Sequence, residues 1–230
     1  MKKLTWLTAV VAMFLVQSAA SQRLAAPPLD RPAEPNMVFD DDGGKAQIVP
    51  ADFSVAGPKK FHGGAVMAAV RQVSIFLGSG WADTSVRIRQ TALGDLAADN
   101  TGPHIAELQK HGIKILPAAP HAEDFGDLSK TPLNDLDIQR KLNDMLRSHA
   151  IPAPAANTVY VVFLAPEITS TLGGNKAGVD YVAYHNFVNL EAGEVRYVVV
   201  PFHQNTGRHQ AAATRAFAEA ALNPNGRGWF

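Results

Sequence analysis

The sequence predicts an α/β fold: a single domain whose mixed sheet is flanked by helices and closed by a C-terminal helix. Three observations carry this expectation. Short apolar runs rich in β-branched and aromatic residues, at 72–78 and 158–164 (TVYVVFL), read as buried strands. Between them lie segments with apolar residues at helical spacing and capping signals at their ends. An alanine-rich stretch from Ala211 to Leu222 stops at Asn223-Pro224 and then Gly226, as a helix would. Strands interleaved with helices point to a layered structure with a mixed sheet.

The elements follow in order. The first twenty residues read as a signal peptide. Lys2 and Lys3 supply a basic start, residues 4–16 an apolar core, and Gln17-Ser18-Ala19-Ala20 the small residues a signal peptidase reads. A retained anchor is the alternative, although the apolar core is short for a membrane-spanning helix. Residues 21–58 read as a Pro-rich flexible linker, interrupted by Pro27, Pro28, Pro32, Pro35, Pro50 and Pro58. Within it, Asp40-Asp41-Asp42-Gly43-Gly44 lacks the ligand alternation of a calcium loop and reads as a solvated turn.

The domain is expected over residues 59–230. After the strand at 72–78, Asp83 or Thr84 can cap a helix bearing Val86, Leu93, Leu96 and Ala97. Pro103 suits a helix start and Gly112 its end, with Ile105 and Leu108 between. A short strand follows at 113–116. Thr131-Pro132 reads as a cap and first-turn proline, ahead of Leu133, Leu136, Leu142, Met145, Leu146 and His149. Residues 181–184 and 195–200 read as strands separated by an Ala192-Gly193 turn.

Composition excludes several classes of function. The formal net charge is zero and no basic stripe is present, which argues against nucleic acid and against a polybasic membrane anchor. There is no cysteine, so disulfides, thiol catalysis and thiolate metal sites are out. Gly78-Ser79-Gly80 is not a nucleophile elbow. Ser170, Thr171 and Gly173-Gly174-Asn175-Lys176 do not have phosphate-loop spacing. Asp124 and Asp127 sit in a Gly-containing loop, where acids are mostly solvated.

The C-terminal helix looks like the active-site helix of a zinc peptidase from which the zinc chemistry has been removed. Such helices carry His-Glu and a third polar residue one turn on, because residues four apart share a face. Here Arg215 stands at the His position, Ala216 at the Glu position, and Glu219 remains. Guanidinium stays protonated and cannot ligate a metal. Arg215 and Glu219 can meet across one turn, either as a surface ion pair or with the guanidinium in the place of the lost metal.

Four segments carry a wider likeness. They are Phe61-His62-Gly63-Gly64-Ala65-Val66; residues 158–164; Tyr197-Val198-Val199-Val200-Pro201-Phe202-His203-Gln204; and Glu219-Ala220-Ala221-Leu222-Asn223-Pro224-Asn225-Gly226-Arg227-Gly228-Trp229. In this order the chain resembles the phosphate-induced protein 1 family, also called EXORDIUM-like, over residues 61–230. It departs from the plant members in lacking cysteine and in having Leu222 ahead of Asn-Pro. The resemblance implies a secreted or periplasmic protein tied to cell-wall or growth responses, with no established catalytic activity.

The expectation is therefore a non-catalytic binding or signalling protein without a cofactor. Its partner would be cell-wall carbohydrate or an envelope protein, and it would not remain in the membrane once the signal is cleaved. The ligand-binding candidates are His62, His185, His203, Arg215, Glu219 and Trp229. The alternative is a residual zinc metallohydrolase with His185, His203 and Glu219 as ligands, against the plainer reading of hydrogen-bonded structural histidines. Trp81, Tyr181, Tyr184 and Trp229 could stack on sugars if two of them lie side by side, and otherwise belong to the core.

Overall fold

A computed structural model describes residues 46–53, 59–98, 102–126 and 132–229. The expected signal peptide and most of the expected linker lie outside them. A seven-stranded mixed sheet forms the centre, with strand order β1-β8-β9-β5-β2-β3, and β4 also paired to β2. The strands are β1 Gln47–Pro50, β2 Ala69–Leu77, β3 Lys114–Ile115, β4 Ala122–Asp124, β5 Thr158–Leu164, β8 Tyr181–Leu190 and β9 Gly193–Val200. A separate hairpin pairs β6 Thr171–Leu172 with β7 Asn175–Lys176. The helices are α1 Thr84–Arg87, α2 Gln90–Gly94, α3 Pro103–Lys110, α4 Asp135–Arg147 and α5 Thr206–Leu222.

The β2, β5 and β9 strands run parallel, while β8 is antiparallel to β9 and β1 is antiparallel to β8. Every residue of β5 is buried, which explains its unbroken apolar run. The sheet is covered on both faces. Side chains alternate along a strand, so β8 turns Tyr184 and Asn186 to α4, where both bond Asp135. His185 turns the other way, toward α5, where the Glu219 carboxylate acts on it.

Three expectations are corrected. The end of the expected linker is strand: Gln47–Pro50 forms β1 at the sheet edge, with Val49 fully buried. Pro50 is tolerated because β1 is an edge strand and the pairing register shifts beside it. The helix expected from Thr131-Pro132 begins instead at Asp135. Asn134 accepts from Asp137 N–H at 2.9 Å, and Asp137 accepts from Asn134 N–H at 3.1 Å, a reciprocal cap. Leu133 stays extended, exchanging backbone hydrogen bonds with Thr169 and Thr171. The segment after Asp83 breaks into α1 and α2, with Leu96 and Ala97 beyond both. The Asp83 cap is present, accepting from Ser85 N–H at 2.7 Å.

The final helix starts earlier than its alanine run suggests. Asn205 caps it by accepting from Arg208 N–H at 2.9 Å. Its small side chains bring it close to the sheet: Ala212, Ala213, Ala216, Ala220 and Ala221 are all buried. Among the described residues no helix is long and apolar enough to cross a membrane.

Candidate functional site

The polar residues of α5 converge where that helix meets α3, β1 and β8. Arg215 donates from Nε to Glu219 Oε1 at 3.0 Å, across one turn. Their side chains are only 9% and 13% exposed. Lys59 Nζ reaches the same carboxylate oxygen at 3.3 Å from a side chain one-third exposed. Arg215 Nη1 also donates to the Phe53 carbonyl at 3.4 Å. One carboxylate is thus held by two cations, on a helix whose neighbouring residues are mostly alanine.

Two imidazoles border this cluster. His185 faces Gln47 directly across the β1–β8 pairing, and its Nε2 lies 3.1 Å from Gln47 Oε1. Burial, reinforced by the charge of Lys59 and opposed by Glu219, lowers its pKa to about 4. His104, in the first turn of α3, is also held below the usual histidine range. Burial is the main cause, followed by the Arg215 charge, with Glu219 opposing and Lys59 adding. Near neutral pH both rings are uncharged beside a fixed ion cluster.

His203 is elsewhere. It follows β9 and shapes the start of α5, its Nδ1 accepting from Asn205 N–H at 3.0 Å. Arg89 ties this loop down by donating to the carbonyls of His203 and Gln204 at 2.8 and 2.9 Å. From Thr206 to Glu219 the helix rises about 20 Å. The triad of His185, His203 and Glu219 is therefore not assembled. Among the described residues, no three His, Asp or Glu side chains converge where they could hold a metal ion. If α5 is aligned with a zinc-peptidase helix as the sequence suggests, Arg215 and Ala216 fall at a ligand and a base position, and neither a guanidinium nor a methyl group can serve there.

His62 and Trp229 belong to a second feature, which joins the segment from Phe61 to Val66 to the one from Glu219 to Trp229. His62 N–H donates to the Gly228 carbonyl at 3.0 Å and Gly64 N–H to the Arg227 carbonyl at 2.6 Å. Phe61 and Trp229 form an antiparallel bridge. Glycine is required at the contact: a Cβ on Gly64 would lie 2.1 Å from the Arg227 carbonyl oxygen, and one on Gly228 2.1 Å from that of Leu222. Asn223 is fully buried and accepts from Gly228 N–H at 2.6 Å, so the Asn-Pro motif serves to fold this turn back. The result sets the Phe61 and Trp229 rings 5.3 Å apart and the His111 ring 4.5 Å from Trp229.

The other aromatic candidates for sugar stacking are core. Trp81, Tyr181 and Tyr184 are fully buried. Tyr184 and Tyr197 both donate to Asp135, a buried acid at the start of α4. Ser170 pairs with the Tyr181 hydroxyl at 2.8 Å in the interior, and Asp124 is ion-paired with Lys141.

No protein-family model, curated protein or solved structure matches this chain. The likeness to EXORDIUM-like proteins thus rests on the four segments quoted from the sequence. Of the six candidates, His185, Arg215 and Glu219 come together, and His62 and Trp229 share the strap between the two motifs. Sequence reasoning missed Lys59, Gln47, His104, Phe61 and His111. The seven-residue spacing of His104 and His111, two turns on one side of a helix, was the available signal for the two histidines.

Proposed function

We propose that this chain is an exported, non-catalytic binding protein of EXORDIUM-like type, acting in the cell envelope or the extracellular space. The observation that carries this reading is the carboxylate of Glu219. Arg215 and Lys59 both hold its Oε1, so the acid surviving from a zincin-like helix is engaged in an internal ion pair. A general base needs a carboxylate able to take a proton from substrate or water. The Oε1 of this one already accepts from Arg215 and Lys59, and the neighbouring position holds Ala216. Its role in this reading is to fix α5 against α3 and β8 and to shape a polar recess.

The test is elemental mass spectrometry of the purified chain after mild dialysis. Zinc well below one equivalent is expected. About one zinc per chain, lost in a His185→Ala variant, would overturn the reading and restore the metallohydrolase.

A further inference from the structure

We propose that the surface running from Phe61 and Trp229 to Lys59 is a saccharide-binding site, specific for a sugar that carries a carboxylate. The inference deepens the binding role proposed above and rests on it.

The aromatic end is presented, not incidental. Phe61 is 53% exposed, while the other exposed large apolar residues are the aliphatic Ile48, Ile88 and Val179. It is held there by backbone pairing between two chain segments whose glycines permit no side chain. Trp229, partly buried against the core, stands beside it at 5.3 Å with ring planes 37° apart, and the mostly buried His111 ring backs Trp229 at 4.5 Å. A pyranose ring offers a C–H face to such a row and hydroxyls around its edge, so it needs hydrogen-bonding groups at the rim. Glu107 and Lys110, on the last turns of α3, supply them. The Glu107 carboxylate lies 2.9 Å from His111 Nε2 and 3.5 Å from Lys110 Nζ.

The charged end adjoins it. Lys59 is two residues from Phe61, a reach of at most about 7 Å. Along α3, His104 at the ion cluster and His111 at the aromatic row are two turns apart, about 10 Å. Lys59 and Arg215 place two positive charges on one carboxylate. Lys59 spends one of its three donors on Glu219 and is one-third exposed, which leaves its ammonium able to meet an anionic group. Together the two ends match a sugar with a stacking face and a carboxylate.

The experiment is isothermal titration calorimetry of the full chain with trigalacturonate, an acidic trisaccharide, and with cellotriose, a neutral one. Trigalacturonate is expected to bind more tightly. Phe61→Ala should weaken it at least tenfold, and Lys59→Gln should remove the preference over cellotriose. Both residues are at the surface, and circular dichroism checks that the variants fold. Failure of wild type to bind either sugar would overturn the site. Binding of trigalacturonate that ignores both substitutions would do the same. Self-association abolished by Phe61→Ala, without sugar binding, would assign the patch to a second copy of the chain instead. Shortening of trigalacturonate in the cell would sink the non-catalytic reading but leave the binding site standing.

Discussion

Arg215 and Glu219 form a buried ion pair, Nε to Oε1 at 3.0 Å, on the helix that the sequence likens to a zinc-binding one. An exposed pair in this order would contribute a few tenths of a kcal/mol. A buried pair behaves differently, because removing one partner strands the other away from water. Arg215→Ala should therefore cost about 3 kcal/mol in urea denaturation, with Lys59 unable to compensate fully from the surface. The double change Arg215→Met with Glu219→Leu should recover most of that loss. A single-variant cost below about 0.5 kcal/mol would place the pair with ordinary surface bridges.

His209 is the clearest buried polar group without a partner among the described residues. Neither ring nitrogen has a hydrogen-bond partner, and the residue is fully buried. Its neighbours are Trp81, Phe163 and Phe202, with ring centroids 5.5–6.4 Å away. An unsatisfied buried nitrogen costs about 1–3 kcal/mol. Replacing it by an apolar residue of similar volume should thus be neutral or stabilising. We expect His209→Leu to raise the urea midpoint, by about 1 kcal/mol in stability. A clear loss would show that the imidazole makes a contact beyond ring packing.

Acid should destabilise the protein through the same histidine and through His185. Burial lowers both to about 4, with the charges of Arg89 and His203 adding for His209. An unfolded histidine titrates near pH 6.5. Between those values the unfolded chain binds protons that the folded chain refuses, so stability is full above about pH 6.5 and falls as pH drops toward 4. Each ring contributes on the order of 3 kcal/mol over the whole window. Asp135, raised mainly by burial, works in the opposite direction: its contribution is present at low pH and lost as pH rises through its folded value. Urea midpoints at pH 7, 5.5 and 4.5 should show a steep fall in wild type and a shallower one in His185→Gln with His209→Leu. Equal slopes would contradict the buried-neutral assignment.

The strap between the motifs depends on absent side chains. A Cβ on Gly64 would fall 2.1 Å from the Arg227 carbonyl oxygen and 2.3 Å from its carbon. Those are backbone atoms, which cannot swing aside. Gly64→Ala should therefore cost more than about 2 kcal/mol and should release the C-terminal turn to proteolysis. The adjacent Gly63 has open space around it but φ of +83°, so Gly63→Ala should be milder, about 1 kcal/mol.

Local chemistry made much of the fold legible. The β5 run, the Pro103 start of α3, the Asp83 cap and the Asn-Pro stop of α5 all follow from patterns within a few residues. The start of α4 was misplaced because Thr131-Pro132 and Asn134 with Asp137 are both valid caps in sequence. The bridge from Leu133 to Ser170, 37 residues on, decides between them. The strand character of β1 was hidden by Pro50, since edge position is a tertiary fact. The site suffered most. Glu219 meets Lys59 across 160 residues, and His185 meets Gln47 across 138. No periodicity encodes such contacts, whereas the Arg215–Glu219 pair, four apart on one helix, was visible at once.

Asp135 offers the sharpest test of how α4 is held to the sheet. It accepts from Tyr184 Oη at 2.8 Å, Tyr197 Oη at 2.8 and 2.9 Å, Gln139 Nε2 at 2.8 Å and Asn186 Nδ2 at 2.9 Å. These donors come from α4, β8 and β9 and clamp the helix to the sheet. They offset, for the ionised form, part of the desolvation that raises its pKa. Asp135→Asn keeps the shape but replaces one acceptor oxygen by an NH2 group, so at least one tyrosine hydroxyl must stop donating there and every remaining bond loses its charge assistance. That change should cost about 2–3 kcal/mol. Tyr184→Phe removes one donor and leaves the carboxylate with others, so it should cost about 1 kcal/mol. Chemical denaturation of both variants at pH 7 checks the order. A Tyr184→Phe loss as large as that of Asp135→Asn would mean that the phenol, through packing, rather than the carboxylate, organises the cluster.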